Sequence, residues 1–181
     1  MERRKRTKIH IININIVKTE ILVKFYLKYT SMYEQKLIIV GDEGVGKTSF
    51  VKRLMNVNID DNYVPTLGIA NTDYHKNNYK FHIWDTGGKY KGLADGYYPG
   101  ADCAIIMMSD NLKLKNVKHY VGNIIRKCGR IPILFVCNKC ELPNTMLNYN
   151  RIVNEVKNVM YCSAKENINI NETIDKLIEM L

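Results

Sequence analysis

Short apolar runs alternate with amphipathic stretches from residue 36 to the end of the chain. Residues 36–40 are apolar and β-branched and run into a glycine, which is typical of a buried strand. Residues 46–55 place Phe50, Val51 and Leu54 on one face, which predicts a helix. A strand followed directly by a glycine-rich turn and a helix is therefore expected near residue 41.

The same alternation continues to the end of the chain. It predicts strands at 69–74, 79–85, 103–108, 131–137 and 159–162, and helices at 114–128 and 170–181. The first two of these strands are joined by a hairpin-like turn in HKNN, and His82 is an ordinary strand residue in this interpretation. Strands that alternate with helices predict the α/β class, with a mostly parallel six-stranded sheet and helices on both faces. Ligands of such sheets bind at the carboxyl ends of the strands.

The stretch GDEGVGKT, residues 41–48, matches the pattern GxxxxGK(S/T) between a strand and a helix. Backbone N–H groups of such a loop, with the positive end of the helix dipole, surround a phosphate chain. The lysine reaches the outer phosphates and the threonine hydroxyl coordinates Mg²⁺. The predicted phosphate-binding residues are Gly41, Gly44, Val45, Gly46, Lys47, Thr48 and Ser49.

A second motif, DTGG, begins with Asp85 at the end of another strand. A carboxylate at this point can hold Mg²⁺ through a water molecule. The N–H of Gly88 can meet a terminal phosphate, because glycine permits close backbone approach. Taken alone, DTGG is as consistent with a simple turn as with a nucleotide site. Its position directly after a strand is what favours the functional interpretation.

Two further polar motifs follow the last two predicted strands, NKCE and SAK. Either alone would be an ordinary polar loop, but together and in this order they form a specific set of positions for gripping a base. Their candidate residues are Asn138, Lys139 and Glu141 in the first motif and Ser163, Ala164 and Lys165 in the second.

Several stretches outside these motifs carry a family resemblance. They are YVPTLG at 63–68, GLADGYY at 92–98, CAIIM at 103–107, KNV at 115–117 and IPI at 131–133. With them, residues 34–181 resemble a P-loop G domain of the Ras superfamily of small GTPases, and within it the Ran family of nuclear transport GTPases. The likeness is strong up to Glu141 and weaker beyond it.

The resemblance implies specific roles. Thr66 would bind Mg²⁺ and sense the terminal phosphate, Asn138 and Lys139 would frame the guanine, and the N–H of Ala164 would contact the guanine carbonyl. The segments 63–68 and 85–98 would be switches that order with GTP. It further implies GTP or GDP and Mg²⁺ as cofactors, a monomer in nucleus and cytoplasm, and an exchange factor, an activating protein and transport receptors as partners.

The sequence departs from the family pattern at three site positions. Glu141 stands where the family has the aspartate that reads the guanine edge. Glu43 stands among residues that are small in the family, and Lys89 replaces the glutamine that orients the attacking water. Ran's acidic tail and a prenylation motif are not found, so no lipid anchor is expected.

These features leave three readings of the function. One is a Ran-like guanine-nucleotide switch with impaired GTP hydrolysis, which the departures at Glu43 and Lys89 favour. Another is a fully active small GTPase in nucleocytoplasmic or vesicle transport. A different P-loop protein, such as an ATPase or a kinase, is the third, and the NKCE and SAK motifs argue against it.

Charge separates the first 31 residues from the rest. They carry eight Lys/Arg and two Asp/Glu, a net charge of +6 out of +9 for the chain, and include a basic cluster at 3–6. They contain no 18-residue apolar run and no signal peptide. We interpret them as an extension of the G domain at 32–181: either untranslated or disordered sequence without a folded role, or an arm for localisation or membrane contact. Because the excess charge is mostly in this extension, no direct nucleic-acid role is expected.

The five cysteines are scattered along the chain, which predicts free thiols in a reducing compartment. Cys137 and Cys140 form a CxxC pair. A second pair or a suitable helix start is missing, so a redox or metal role is not favoured.

Overall fold

The computed structural model describes residues 31–59, 68–87, 96–110 and 113–181 of the 181-residue chain. Within them, six strands form one sheet and four helices accompany it. The strands are β1 Tyr33–Gly41, β2 Ile69–Lys76, β3 Tyr79–Thr86, β4 Cys103–Met108, β5 Ile133–Cys137 and β6 Val159–Tyr161. The helices are α1 Lys47–Leu54, α2 Leu114–Cys128, α3 Pro143–Val153 and α4 Ile170–Ile178.

The strand order is β2-β3-β1-β4-β5-β6. In this order β1 pairs with β4, β4 with β5, and β5 with β6, and all three pairs are parallel. Leu37 lies opposite Cys103, and Ile106 lies opposite Phe135. The antiparallel pair is the hairpin of β2 and β3, whose connection consists of Asn77 and Asn78. The predicted α/β class and mostly parallel six-stranded sheet are confirmed.

Apolar side chains cover the middle of the sheet on both faces. All six residues of β4 are buried, which requires packing above and below the strand. On one face, Ile124 of α2 packs with Ile38 and Ile106 in a single buried cluster. Helices α1 and α4 contact one another. The core therefore fixes the central strands, and the phosphate loop of residues 41–48 starts from the end of one of them.

Helix α3 is an element that the hydrophobic pattern did not predict. Its buried face consists of Thr145, Asn148 and Ile152, so two of its three buried residues are polar. Asn148 donates its side-chain amide to the carbonyls of Ser109, at 3.1 Å, and Asp110, at 3.0 Å. Hydrogen bonds replace part of the apolar stripe, and Ile152 supplies the rest by packing in a buried cluster on the sheet. The hydrophobic pattern alone is therefore too weak to predict this helix.

The order of the strands determines where a ligand can approach. Strand β1 has β3 on one side and β4 on the other, so the chain leaves β1 to one side and later crosses to the other. The loop after β1 lies at this reversal, where the connections leave an open crevice beyond the carboxyl ends. That loop is the glycine-rich stretch of residues 41–48.

The chain divides into two compact units. Of the described residues, the smaller unit contains 31–33 and His75–Lys80, and the larger contains the remainder. In the smaller unit, the N–H of Tyr33 donates to the carbonyl of Asn78 at 2.8 Å, and the rings of Tyr33 and Tyr79 lie 5.3 Å apart. In the larger unit, His82 contacts Asp73 at 2.7 Å.

Residues 1–30 of the predicted extension lie outside the described residues. In the part of the chain that is described, none of the helices has the length and apolar character needed to cross a membrane.

Candidate functional site

The phosphate loop follows β1 and turns sharply into α1. Gly44 and Gly46 have φ angles of +76° and +92°, which L side chains rarely adopt. At Gly46 a Cβ would also collide with the side-chain nitrogen of Asn138. The loop shape therefore depends on glycine at this position, for conformation and for space.

Lys47 lies inside the loop. It is 5% exposed, and its Nζ donates to the carbonyls of Gly41 and Asp42, both at 2.9 Å. Burial lowers its pKa, and the carboxylates of Asp85, Asp42 and Glu43 oppose this effect. An ammonium held by two backbone carbonyls can exchange them for an anion at the loop.

Thr48 and Asp85 bring a hydroxyl and a carboxylate together beside this lysine. Thr48 donates to Oδ2 of Asp85 at 2.5 Å. Asp85 is 2% exposed, burial raises the pKa of its carboxyl, and its Oδ1 lacks a hydrogen-bond donor among the described residues. A hydroxyl next to a buried carboxylate with an open oxygen suits a hard divalent cation such as Mg²⁺, which prefers oxygen ligands and retains several waters.

Asn138 connects three segments that are far apart in sequence. Its Nδ2 donates to the carbonyl of Val45 at 2.8 Å, and its Oδ1 accepts the N–H of Ala164 at 3.0 Å. The side chain is 1% exposed, so both bonds are shielded from water. This residue fixes the phosphate loop, the NKCE motif and the SAK motif in one arrangement.

The sequence prediction assigned the N–H of Ala164 to a guanine carbonyl. In the structure this N–H already donates to Asn138. The contact with a base stays a prediction, and it requires the donor to be shared between two acceptors.

Arg53 is a residue of the site that sequence reasoning missed. From the last turn of α1, its Nε donates to the carbonyl of Ala164 at 2.9 Å and its Nη2 donates to that of Lys165 at 3.0 Å. The guanidinium thereby ties the phosphate-binding helix to the SAK loop. A lone arginine late in a helix has no spacing that marks it, so no sequence signal pointed to this contact.

Asp42 is a second residue that the motif reading left without a role. Its carboxylate accepts the side-chain amide of Asn116 at 2.8 and 2.9 Å and the hydroxyl of Tyr120 at 3.0 Å. These bonds attach the start of the phosphate loop to α2. Asn116 belongs to the KNV stretch of the family resemblance, and its bonds to Asp42 give that stretch a structural role.

The other predicted residues of the two nucleotide loops differ in burial and backbone conformation. Ser163 is buried, and its Oγ accepts the N–H of Glu166 at 2.9 Å, which shapes the SAK turn. Lys139 adopts a positive φ of 65°, whereas Glu141 and Lys165 are exposed. In the phosphate loop Val45 is buried, and Ser49 is half-buried in α1.

Three predicted site residues, Thr66, Gly88 and Lys89, lie outside the described residues, as does most of both switch segments. Glu43 is described and is exposed at the turn of the phosphate loop. The predicted pairing of Glu43 with Lys89 therefore stays a prediction.

The CxxC cysteines lie next to the base site without forming a reactive pair. Burial raises the pKa of Cys137 to about 12, so its thiol is protonated at neutral pH. The thiol of the neighbouring Cys162 donates to Oδ1 of Asn138 at 3.4 Å. In the described ranges, His, Cys, Asp and Glu do not form a cluster of three or more suited to a metal.

The comparison with known families agrees with this geometry. Residues 36–181 match the family model described as the Ras family. The matched span contains the phosphate loop, Asp85 and both base motifs. Members of this family are small GTPases that bind GTP and GDP, typically with Mg²⁺. With most of its length matched and the nucleotide loops arranged around Asn138, the chain belongs to the Ras family of small GTPases.

Proposed function

We propose that this GTP-binding switch hydrolyses GTP slowly and engages partners of the Ran type. The observation that carries the guanine-nucleotide site is the pair of buried hydrogen bonds through which Asn138 joins the phosphate loop to the SAK loop. Phosphate and base recognition are then one rigid unit, because displacement of either loop breaks bonds shielded from water.

The proposed phosphate contacts use groups that the fold already holds in place. Backbone N–H groups around Gly44 and Gly46 would surround the phosphates, and the Nζ of Lys47 would exchange its carbonyl partners for the outer phosphates. Thr48 would ligate Mg²⁺ directly, and Asp85 would hold it through water. When bound, the ion neutralises charge that develops between the outer phosphates. Thr66 would complete this set.

The proposed guanine contacts come from the two base motifs. Glu141 would accept hydrogen bonds from the guanine edge, and it is one methylene longer than the aspartate usual in the family. A site that pairs with those donors can discriminate guanine from adenine by about 10⁴-fold or more. Lys139 would cover the ring with its aliphatic stem.

Slow hydrolysis is proposed from the two departures near the terminal phosphate. Lys89 has donors but no acceptor, so it cannot hold the attacking water as the carbonyl of a glutamine does. The charge of Glu43 acts on Lys47, the ammonium that the phosphates need. Its side chain would also compete for space with an arginine of an activating protein, and such an arginine contributes about 10³–10⁵ in rate.

A single-turnover assay of GTP hydrolysis tests this proposal. The wild type, Lys89→Gln, Glu43→Gly and the double variant are compared, with the exposed pair Lys157→Gln and Glu155→Gly as controls. Restoration of both family residues should raise turnover by more than the product of the two single effects if the two charges pair. Hydrolysis by the wild type at the ordinary family rate would refute the slow switch, and the second candidate, a fully active GTPase, would replace it. Strict additivity would remove the pairing alone.

The Ran-type specificity is proposed from the sequence stretches YVPTLG and GLADGYY, and with it a role in nuclear transport and a location in nucleus and cytoplasm. Release of labelled GDP in the presence of a Ran exchange factor and of a Rab exchange factor would test it. Acceleration by the Ran factor alone is expected. Acceleration by the Rab factor alone would favour vesicle transport.

A further inference from the structure

Positive charge in residues 32–181 is concentrated on one element. This span holds 19 Lys/Arg and 16 Asp/Glu. Six of the basic residues and none of the acidic ones fall in residues 113–130, which comprise α2 and its ends. The rest of the span then has 13 basic and 16 acidic residues, a net charge of −3. The basic character of the described domain is therefore a property of this helix.

The helix exposes Lys115, Lys118 and Arg126 on one side, and Arg130 is exposed just beyond its end, whereas Lys127 lies over the ring of Tyr98. Its other side packs Ile124 fully into the core, with Val117, Tyr120 and Val121 partly buried beside it. We call the solvent side the basic helix face. Its exposed members are Lys115, Lys118, His119, Ile125, Arg126 and Arg130.

Like charges at this spacing repel one another. Lys115 and Lys118 are three residues apart, a separation that brings side chains together on a helix. Such a pair of like charges destabilises a helix. An anionic partner would relieve this repulsion, whereas the local sequence offers no acid to do so.

An exposed apolar side chain and a glycine lie beside the charges of the basic helix face. Ile125 is 51% exposed, and Gly122 lies one turn before it. A Cβ at Gly122 would meet nothing within 4 Å, so packing within the fold does not require glycine there. Glycine inside a helix is less favourable than alanine, so its presence at this position has no stabilising role in the helix. Exposed apolar surface next to charged side chains is typical of a protein-binding surface.

We propose that the basic helix face is a docking surface for an acidic segment of a partner protein, whose apolar side chain packs against Ile125 and Gly122. Charge complementarity selects the acidic partner. A nucleic acid fits less well, because the exposed face offers no Phe, Tyr or Trp for stacking on bases. A membrane fits less well too, because the apolar side of α2 is already packed on the sheet.

The test uses full-length, GDP-loaded protein and a fluorescent helical peptide of 16 residues that has glutamates around a central leucine. Binding is followed by anisotropy at low salt. The triple variant Lys115→Ser/Lys118→Ser/Arg126→Ser removes charge from the face. A control triple, Lys52→Ser/Arg151→Ser/Lys157→Ser, removes the same charge from exposed positions elsewhere. Both variants keep the basic residues 1–31, so the difference between them isolates the helix.

The proposal predicts at least about a tenfold loss of peptide affinity in the helix triple and less than twofold in the control triple. Ile125→Ser should weaken binding of the leucine peptide but not of the same peptide with serine at its centre. Lys115→Arg/Lys118→Arg, which keeps the charge, should bind normally. The helix triple should unfold at the same temperature as the wild type, which excludes a folding defect as the cause of its loss.

Three results would overturn the proposal. Equal losses in the two triples would mean that net charge alone attracts the peptide. The wild type could bind phosphatidylserine vesicles or duplex RNA more tightly than it binds the peptide. If the helix triple alone lost that affinity, the face would be assigned to the membrane or to the RNA. Self-association that the helix triple abolishes would assign it to a second copy of this chain.

Discussion

Replacement of Arg53 should loosen the grip on the guanine base without removing any group proposed to touch the nucleotide. In Arg53→Ala, the carbonyls of Ala164 and Lys165 lose their donors. The SAK loop then keeps its bonds to Asn138 but is no longer tied to α1. GDP should dissociate faster, because the loop that closes over the base opens more often.

The size of the effect follows from the two bonds. A hydrogen bond from a charged group contributes about 1.5–3 kcal/mol to stability. The bond to Ala164 is part-buried, so we use the lower part of this range, about 1.5–2 kcal/mol. The exposed bond to Lys165 contributes about 0.5–1 kcal/mol after screening by solvent. A sum of about 2–3 kcal/mol corresponds to about a 30- to 150-fold loss of affinity if the loop must be re-ordered on binding.

The assay follows release of GDP labelled on the ribose, chased with excess unlabelled GDP at constant Mg²⁺. Lys52→Ala is the control, since Lys52 is the exposed neighbour of Arg53 on the same helix. Arg53→Lys should fall between wild type and Arg53→Ala, because an ammonium cannot reproduce the two-carbonyl geometry of the guanidinium. Thermal unfolding of each variant without nucleotide measures the loss of fold stability separately.

One result would refute this reasoning. Arg53→Ala could lower the unfolding temperature but release GDP at a rate within about twofold of the wild-type rate. A twofold change corresponds to about 0.4 kcal/mol, far below the expected effect, so the guanidinium would then stabilise the fold alone. The base grip would then depend on Asn138 and not on the tie to α1.

Asp85→Asn should weaken Mg²⁺-dependent GDP affinity, because a neutral amide holds the water of a bound cation less strongly than a carboxylate does; titration with Mg²⁺ measures the loss. Gly46→Ala should abolish GDP binding in equilibrium dialysis, because the added Cβ collides with Asn138 at a positive φ. Glu141→Asp should tighten GDP binding in the same measurement. A protein that begins at Met32 should bind GDP as tightly as the full chain, and insolubility or loss of binding would show that residues 1–31 belong to the fold.

The hydrophobic pattern along the chain was sufficient to predict the strands and helices that are held by apolar packing. Strand Cys103–Met108 and helix Leu114–Cys128 have the bounds that their hydrophobic spacing predicts. Strand β1 extends three residues further towards the N-terminus than predicted, since hydrogen bonding continues past the apolar run. The predicted first residues of the fifth strand, 131–132, and last residues of the closing helix, 179–181, lie outside the elements.

Contacts between distant segments could not be read from patterns. Asn148 anchors helix Pro143–Val153 by donating to the carbonyls of Ser109 and Asp110, which are 39 and 38 residues away in sequence. The sequence near Asn148 gives no sign of these partners. The ties made by Arg53 and Asp42 have the same origin, since a polar side chain gains its partner only when the sheet has assembled. Motif spacing identified the loops of the site, and the tertiary structure adds the side chains that hold those loops together.

The identity of the nucleotide carried by the freshly purified protein tests the central claim most directly. Protein is denatured in the presence of a chelator, and the released nucleotide is separated by ion-exchange chromatography and identified by mass spectrometry. A guanine nucleotide is predicted, with GTP favouring the slow switch and GDP the fully active GTPase. An adenine nucleotide, together with equal competition by ATP and GTP for the refilled site, would contradict the account.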